Sequence, residues 1–200
     1  MPRVSAEYLE HRREQILNAA QRCFARKGFY ETSMQDVFRE SGLSAGAVYR
    51  YFKSKDQLIQ AISAGVLGQM AAALEAALAE DPVPGPEQLV GRLAAAAQEL
   101  SGPDGPARVA LPAWAAALHD PSVATIVRGV LGQLREGWVQ AAERMRDDGR
   151  LPPGTDVRAV GAALFALLPG FLLQHLLLED IDAATFSRGV SELFAAGTAR

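Results

Sequence analysis

The chain has 200 residues, 49% of them hydrophobic, enough apolar surface for one domain or for a small head joined to a larger helical body. Its formal charge of −3 excludes a surface covered with nucleic-acid-binding groups, yet the charge is uneven: residues 1–60 hold ten Lys or Arg against seven Asp or Glu, and residues 61–200 hold ten against sixteen. A single cysteine, Cys23, excludes an intramolecular disulfide framework and a Cys-rich metal cluster.

The polar start of the chain does not read as a signal peptide, which favours the cytoplasm. Ile16, Leu17, Ala20 and Phe24 fall on one face of a helix over roughly 8–27, with Cys23 beside that face as an inert, partly buried thiol, and Gly28 is expected to stop the helix in a left-handed conformation. Ser33 and Asp36 form a helix-opening pair, so a second helix runs from Met34 to Ser41. Gly42 makes a tight turn and Ser44 caps a third helix from Ala45, with Val37, Phe38, Leu43, Val48 and Phe52 closing a three-helix head. Ser54 with Gln57 predicts a capping box for a fourth helix whose stripe is Leu58, Ile59, Ile62, Val66 and Met70.

After about Ala79, DPVPGPEQ marks a turn with Pro86 at the first position of the next helix. Helices are expected over about 87–99 and 106–118, separated by SGPDGPARV, and then from Pro121 to Asp148, capped by Asp120. LPPGTD separates these from a strongly apolar helix near 156–178 and a last one near 182–196. Ala159 to Leu178 carries no formal charge and is long enough to cross a bilayer. Pro169, Gly170, Gln174 and His175 interrupt it and three acids follow, so it reads as a soluble helix buried at an interface, with no membrane partner. No periodic repeat is recognised, and the fold class is all-α.

The short connection between the second and third helices makes a helix-turn-helix, whose second helix suits a DNA major groove. Tyr49 can reach a phosphate or a base edge, Arg50 can bind phosphate or guanine, and Lys55 can approach the backbone beside the groove. Thr32 and Ser33 either cap their helix or also touch phosphate. Each of these residues alone also suits an ordinary core or surface position; their shared location favours DNA.

The stretch GFYETSMQDVFRESGLSAGAVYRYFKSKDQL, Gly28 to Leu58, resembles the TetR family of transcriptional regulators. The resemblance implies a DNA-binding head over 1–53, with Tyr49 and Lys55 on the DNA backbone, Ser44, Ala45 and Gly46 at the start of the recognition helix, and Phe52 packing the head. It implies a regulatory and dimerisation body over 54–200, a homodimer on double-stranded operator DNA, and a small-molecule effector that releases it. Two positions depart from the family pattern: Phe38 stands where a small alanine is common, and Ala47 where Thr or Ser is frequent.

In the body, Leu164, Leu168 and Leu172, supplemented by Leu193 and Phe194, are the expected dimer surface, in a four-helix interface implied by the family. Trp114, Trp138, Phe165, Phe171 and His175 are the candidate walls of a pocket for an apolar or aromatic effector, with core packing as the competing reading. His119, His175 and the scattered carboxylates form no nucleophile–base pair or metal spacing, so neither enzyme nor cofactor is expected. A helix-turn-helix protein acting through a protein partner is the alternative, ahead of a small all-helical enzyme.

Overall fold

The computed structural model describes residues 5–81 and 83–198, and every regular element among them is helical. Pro82, in the turn expected at DPVPGPEQ, and the chain ends at residues 1 and 200 lie outside the described residues. Ser5 caps α1 (Ala6–Glu31) by accepting the Tyr8 N–H. The predicted stop at Gly28 is instead a break inside this helix: Gly28 takes φ 76° and ψ 173°, and helical backbone resumes to Glu31. A break orphans carbonyls. Here the Thr32 hydroxyl donates to the carbonyls of Gly28 (2.7 Å) and Cys23 (3.2 Å), and the Lys55 ammonium donates to those of Phe29 (2.9 Å) and Tyr30 (3.4 Å).

Helices α2 (Met34–Ser41) and α3 (Ala45–Tyr51) fall where their caps predict. The Ser33 hydroxyl and the Asp36 carboxylate satisfy each other's backbone N–H groups, and Gly42 turns the chain with φ 69°. α4 (Lys55–Leu78) opens as expected with the Ser54 hydroxyl accepting the Gln57 N–H. The return bond from Gln57 differs from the expected box, since its amide oxygen accepts from Lys53 N–H (2.7 Å).

Pro86 begins α5 (Pro86–Glu99). The helix predicted over 106–118 is two pieces, a 3-10 turn at Pro106–Val109 and α6 (Ala110–Ala117). Pro112 has no N–H to offer Arg108, which removes a rung of the regular ladder at that junction. α7 (Pro121–Asp147) starts under the Asp120 carboxylate, which accepts the Ser122 N–H at 2.9 Å. α8 (Val157–Leu173) ends in a π-helical turn at Gln174–Leu178, closed by the Glu179 N–H on the Gln174 carbonyl (3.1 Å), and α9 (Ala183–Thr198) follows.

The chain forms two compact units, cut differently from a division at residue 53. One runs through Gly65 and includes Pro103–Arg128; the other takes Val66–Gly102 and the residues from Gly129 onward. The first has one buried cluster in which Ile16, Phe24, Val37, Val48, Phe52, Leu58 and Ile59 are joined by Val109, Ala113, Ala116 and Val123. Thus α6 and the start of α7 complete the core of the head helices. The second unit is centred on α5, which packs on α8 and α9, with Leu89, Val90, Leu93, Trp138, Met145, Leu164 and Val190 buried together. Both α4 and the span Val157–Leu178 are long and apolar enough to cross a membrane by length and composition; the sequence reading singled out only the second.

Candidate nucleic-acid interface

Two carboxylates of α2 fasten it to α1. Glu40 receives Arg22 (2.7 Å) and Arg26, and Asp36 receives Lys27 (2.8 Å) and Arg39. The Arg22 guanidinium, followed by that of Arg26, holds the Glu40 carboxyl below its usual range, and the bond from Lys27, followed by those from Ser33, does the same more strongly for Asp36. Burial, followed by the nearby Glu40 charge, pushes the Cys23 thiol up, as expected of an inert side chain. Four of the head's cations are therefore engaged within it by two carboxylates.

The outer side of α3 is different. Val48 is its buried anchor, while Ser44, Ala45, Gly46, Tyr49 and Arg50 are exposed. Ser44 caps the helix through the Ala47 N–H (3.3 Å). The Tyr49 ring meets Phe38 edge-on at 5.3 Å, so the large residue at 38 is accommodated as a buttress for the recognition helix. Arg50 has no hydrogen bond or ion pair to any described residue. Lys53, exposed just after α3, extends its ammonium only to the Tyr49 carbonyl among the described residues. An outward row of Tyr49, Arg50 and Lys53 beyond a side-chain-poor helix start can follow a phosphate backbone and reach base edges.

Three residues read from sequence as phosphate ligands have other partners. Thr32 is 1% exposed and its hydroxyl heals the break in α1, which removes it from any DNA surface. Ser33 is exposed, but its hydroxyl donates to Asp36 (2.7 Å) within the cap. Lys55 is half-buried against the end of α1, its ammonium also 4.6 Å from the centre of the Phe29 ring. Sequence spacing places a lysine at a helix start and cannot show carbonyls 25 and 26 residues earlier.

The body residues divide as well. Trp114 belongs to the first unit and the other four candidate pocket residues to the second. Phe171 is buried, stacks on the His175 ring at 5.4 Å and packs on Phe186, and His175 Nδ1 is 2.9 Å from the Ile181 carbonyl oxygen; both side chains are occupied by the core. Phe165 packs against the cluster around Trp138. A cleft of about 70 Å³ lies instead beside Trp138, walled by Met70, Leu74, Leu93, Leu134 and Leu168, with Glu75, Gln133 and Gln140 at its polar edge. Trp138, 1% exposed, is one of the cleft's wall residues.

Of the expected dimer surface, Leu164 and Leu172 are buried in the chain's own core, and Leu168 faces that core and the cleft. Leu193 (74% exposed) and Phe194 (37%) remain on the surface. The outward side of α8 carries Ala159, Ala162, Ala163, Ala166 and Leu173, and the π-helical turn after it carries Leu177. A helix that is apolar all round gives periodicity no way to tell the inner stripe from the outer one.

Residues 16–62 match a family model described as bacterial regulatory proteins, tetR family, and residues 91–196 match the C-terminal model of BetI-type transcriptional repressors. The transcriptional regulator BetI 2 of Chromohalobacter salexigens is 28% identical over 189 residues, covering 92% of this chain and 86% of its own. The transcriptional regulator YfiR of Bacillus subtilis is 46% identical over 61 residues; the chain spans only 30% of YfiR's length there, as the match covers 30% of this chain. Among solved structures, the SmeT–triclosan complex is similar with a TM-score of 0.78 at 23% identity, over 94% of this chain and 91% of that one, a likeness of fold.

Proposed function

Since this chain belongs to the TetR family of bacterial regulatory proteins and is a DNA-binding transcriptional regulator rather than an enzyme, we propose that it is a cytoplasmic repressor that binds its operator as a homodimer and leaves it when a small molecule enters the Trp138 cleft. The functional division runs at residues 53 and 54, head before and regulatory body after. The observation that carries the DNA-binding reading is the exposed Arg50, the cation of α3, whose side chain has no partner among the described residues.

For the dimer, the support is the apolar surface left on α8 and α9, the alanine row with Leu173, Leu177, Leu193 and Phe194, which a second copy would cover. Two copies related by a twofold axis present two α3 helices, so the operator is a palindrome with half-sites about 34 to 36 Å apart in the simplest case. For the effector, the support is the cleft's chemistry: apolar walls with Gln133 and Gln140 at the polar edge suit an apolar or aromatic molecule. SmeT, of like fold, binds the apolar aromatic triclosan.

Selection of bound duplexes from a random pool, followed by footprinting, tests the central reading. A palindromic site is the expected result, and recovery of duplexes without sequence preference would sink specific repression. A thermal-shift screen of apolar and aromatic compounds, followed by operator titration, tests release; compounds that stabilise the protein yet leave operator affinity unchanged count against it.

A further inference from the structure

Tyr8, Tyr30 and Tyr49 are all exposed, and their hydroxyls differ in what they do. That of Tyr8 accepts the Arg12 Nε–H (3.0 Å), and that of Tyr30 donates to the Ala116 carbonyl (3.1 Å). The Tyr49 hydroxyl, on the outer side of α3, has no partner among the described residues. Its ring is nevertheless held. Phe38 of α2 meets it with ring centres 5.3 Å apart and planes at 71°.

Phe38 is itself a fixed point. It is half-buried against the cluster of the head helices, and its carbonyl accepts the Ser41 hydroxyl (3.1 Å). On either side of it α2 is tied to α1, through Asp36 to Lys27 and through Glu40 to Arg22. A side chain that leans on Phe38 therefore leans on a firmly fastened helix.

The geometry of tyrosine makes that contact consequential. The ring turns about its Cβ–Cγ bond and the hydroxyl oxygen lies on the same axis, so the first side-chain torsion alone decides where the oxygen sits. An exposed tyrosine with no neighbour has more than one staggered value of that torsion open to it, and ordering it on binding costs affinity. An edge-on aromatic partner settles the torsion in advance. A methyl group at position 38 would leave the Tyr49 ring without that partner.

We propose that Phe38 is a positioning residue for DNA binding: it fixes the Tyr49 ring so that the hydroxyl is aimed, before DNA arrives, at an operator phosphate oxygen, to which it donates. This rests on the reading of the outer side of α3 as the DNA interface and gives two residues of the head distinct parts in it. Arg50 reaches from a long stem with many rotamers, whereas Tyr49 offers a neutral donor at a place set by the fold.

A double-mutant cycle on the selected operator duplex, read well below the melting temperature, tests the proposal. Tyr49→Phe keeps the ring and removes the hydroxyl; it is expected to weaken binding about tenfold, and equally on operators with altered base pairs. Phe38→Leu keeps an apolar side chain and removes the edge-on ring. It is expected to cost about fivefold when Tyr49 is present and less than about twofold in the Tyr49→Phe background. Equal losses from Phe38→Leu in the two backgrounds overturn the positioning role, and so does no loss in either. A Tyr49→Phe loss that depends on the identity of one base pair overturns the phosphate target. A Tyr49→Phe protein that binds as wild type does overturns the proposal and leaves the operator selection, and with it the DNA-binding reading, intact. Magnetic resonance of the free wild-type protein keeps the proposal testable if Phe38→Leu does not fold. The Hα–Hβ couplings of Tyr49 are expected to report a single rotamer, with cross-relaxation between the two rings; couplings averaged over rotamers overturn the positioning role.

Discussion

The unit carrying α2 and α3 and the unit centred on α5 are held together by different means. In the first, directional bonds set positions: Glu40 and Asp36 tie α2 to α1, and Lys55 and Thr32 close the break near Gly28. In the second, where such bonds are fewer, the closest contacts are set by shape, with α8 crossing α7 so closely at Gly161 that no side chain fits, and α5 passing α9 with Gly91 against Ser187. Directional fastening leaves the outer side of α3 polar, aligned and free for a ligand with its own directional groups. Packing by shape leaves apolar surface outside and an apolar cleft inside, suited to a second copy and to a small apolar molecule.

The contrast is broken most severely at Gly161. A Cβ would meet the N, Cα and Cγ2 atoms of Val139, two of them backbone, so Gly161→Val has no rotamer that relieves the clash. It is expected to destabilise the protein by about 3 kcal/mol or more, seen as a lower midpoint in urea unfolding. Gly65→Ala, where the Cβ position is open, should instead be neutral or stabilise by up to about 1 kcal/mol. Similar effects from the two substitutions would show that close crossing is not what holds the body.

In the head, the comparison sharpens at Arg50. With no internal partner to lose, Arg50→Ala should leave the melting temperature unchanged while weakening operator binding by about 1–3 kcal/mol. A series of operator substitutions separates its two possible targets: a loss that relaxes preference at one base pair marks a guanine contact, and a uniform loss with a shallower salt dependence marks a phosphate. An unchanged affinity across the series would remove Arg50 from the interface.

The parts of this molecule that could be read from sequence are those with local chemical codes. Ser33 with Asp36, Gly42 and Ser44 each act within four residues, so α2 and α3 begin and end where predicted. Long-range commitments could not be read: Lys55 has the spacing of a phosphate ligand, and only the fold brings it to the carbonyls of Phe29 and Tyr30. In α8, Leu164 and Leu172 recur at helical spacing as a dimer stripe would, but that stripe turns inward and alanines face out. Trp114 sits on a helix that completes the core of the head helices, a placement no periodicity within α6 reveals.

Lys55 makes a smaller test than Arg50, and one of the opposite kind. Lys55→Met keeps the apolar stem and removes the ammonium from two carbonyls and from the Phe29 ring. Because those carbonyls regain some water, the expected loss is about 1 kcal/mol of stability. Operator binding should keep its dependence on salt, since no phosphate contact is lost. A shallower salt dependence with unchanged stability would return Lys55 to the DNA interface.

The smallest effect expected is that of pH on the fastening of α2. Glu40 has a folded-state pKa below the ordinary glutamate value because of Arg22, followed by Arg26, and Asp36 is lowered further by Lys27, followed by Ser33. A carboxyl whose pKa falls on folding stabilises the protein at pH values above its unfolded pKa, near 4 for these side chains, and loses that contribution as pH falls through the depressed folded value. Thermal melts of wild type and Glu40→Gln should therefore differ by a constant small amount from about pH 8 to pH 5 and converge as pH drops below about 4. Because Glu40→Gln leaves Asp36 in place, Asp36→Asn should show the same convergence displaced to lower pH, its folded value being the more strongly depressed. Melting differences that persist unchanged to acid pH would mean that the guanidinium bonds to Glu40 are geometric neighbours without ionic consequence. The head would then be held, like the body, by shape.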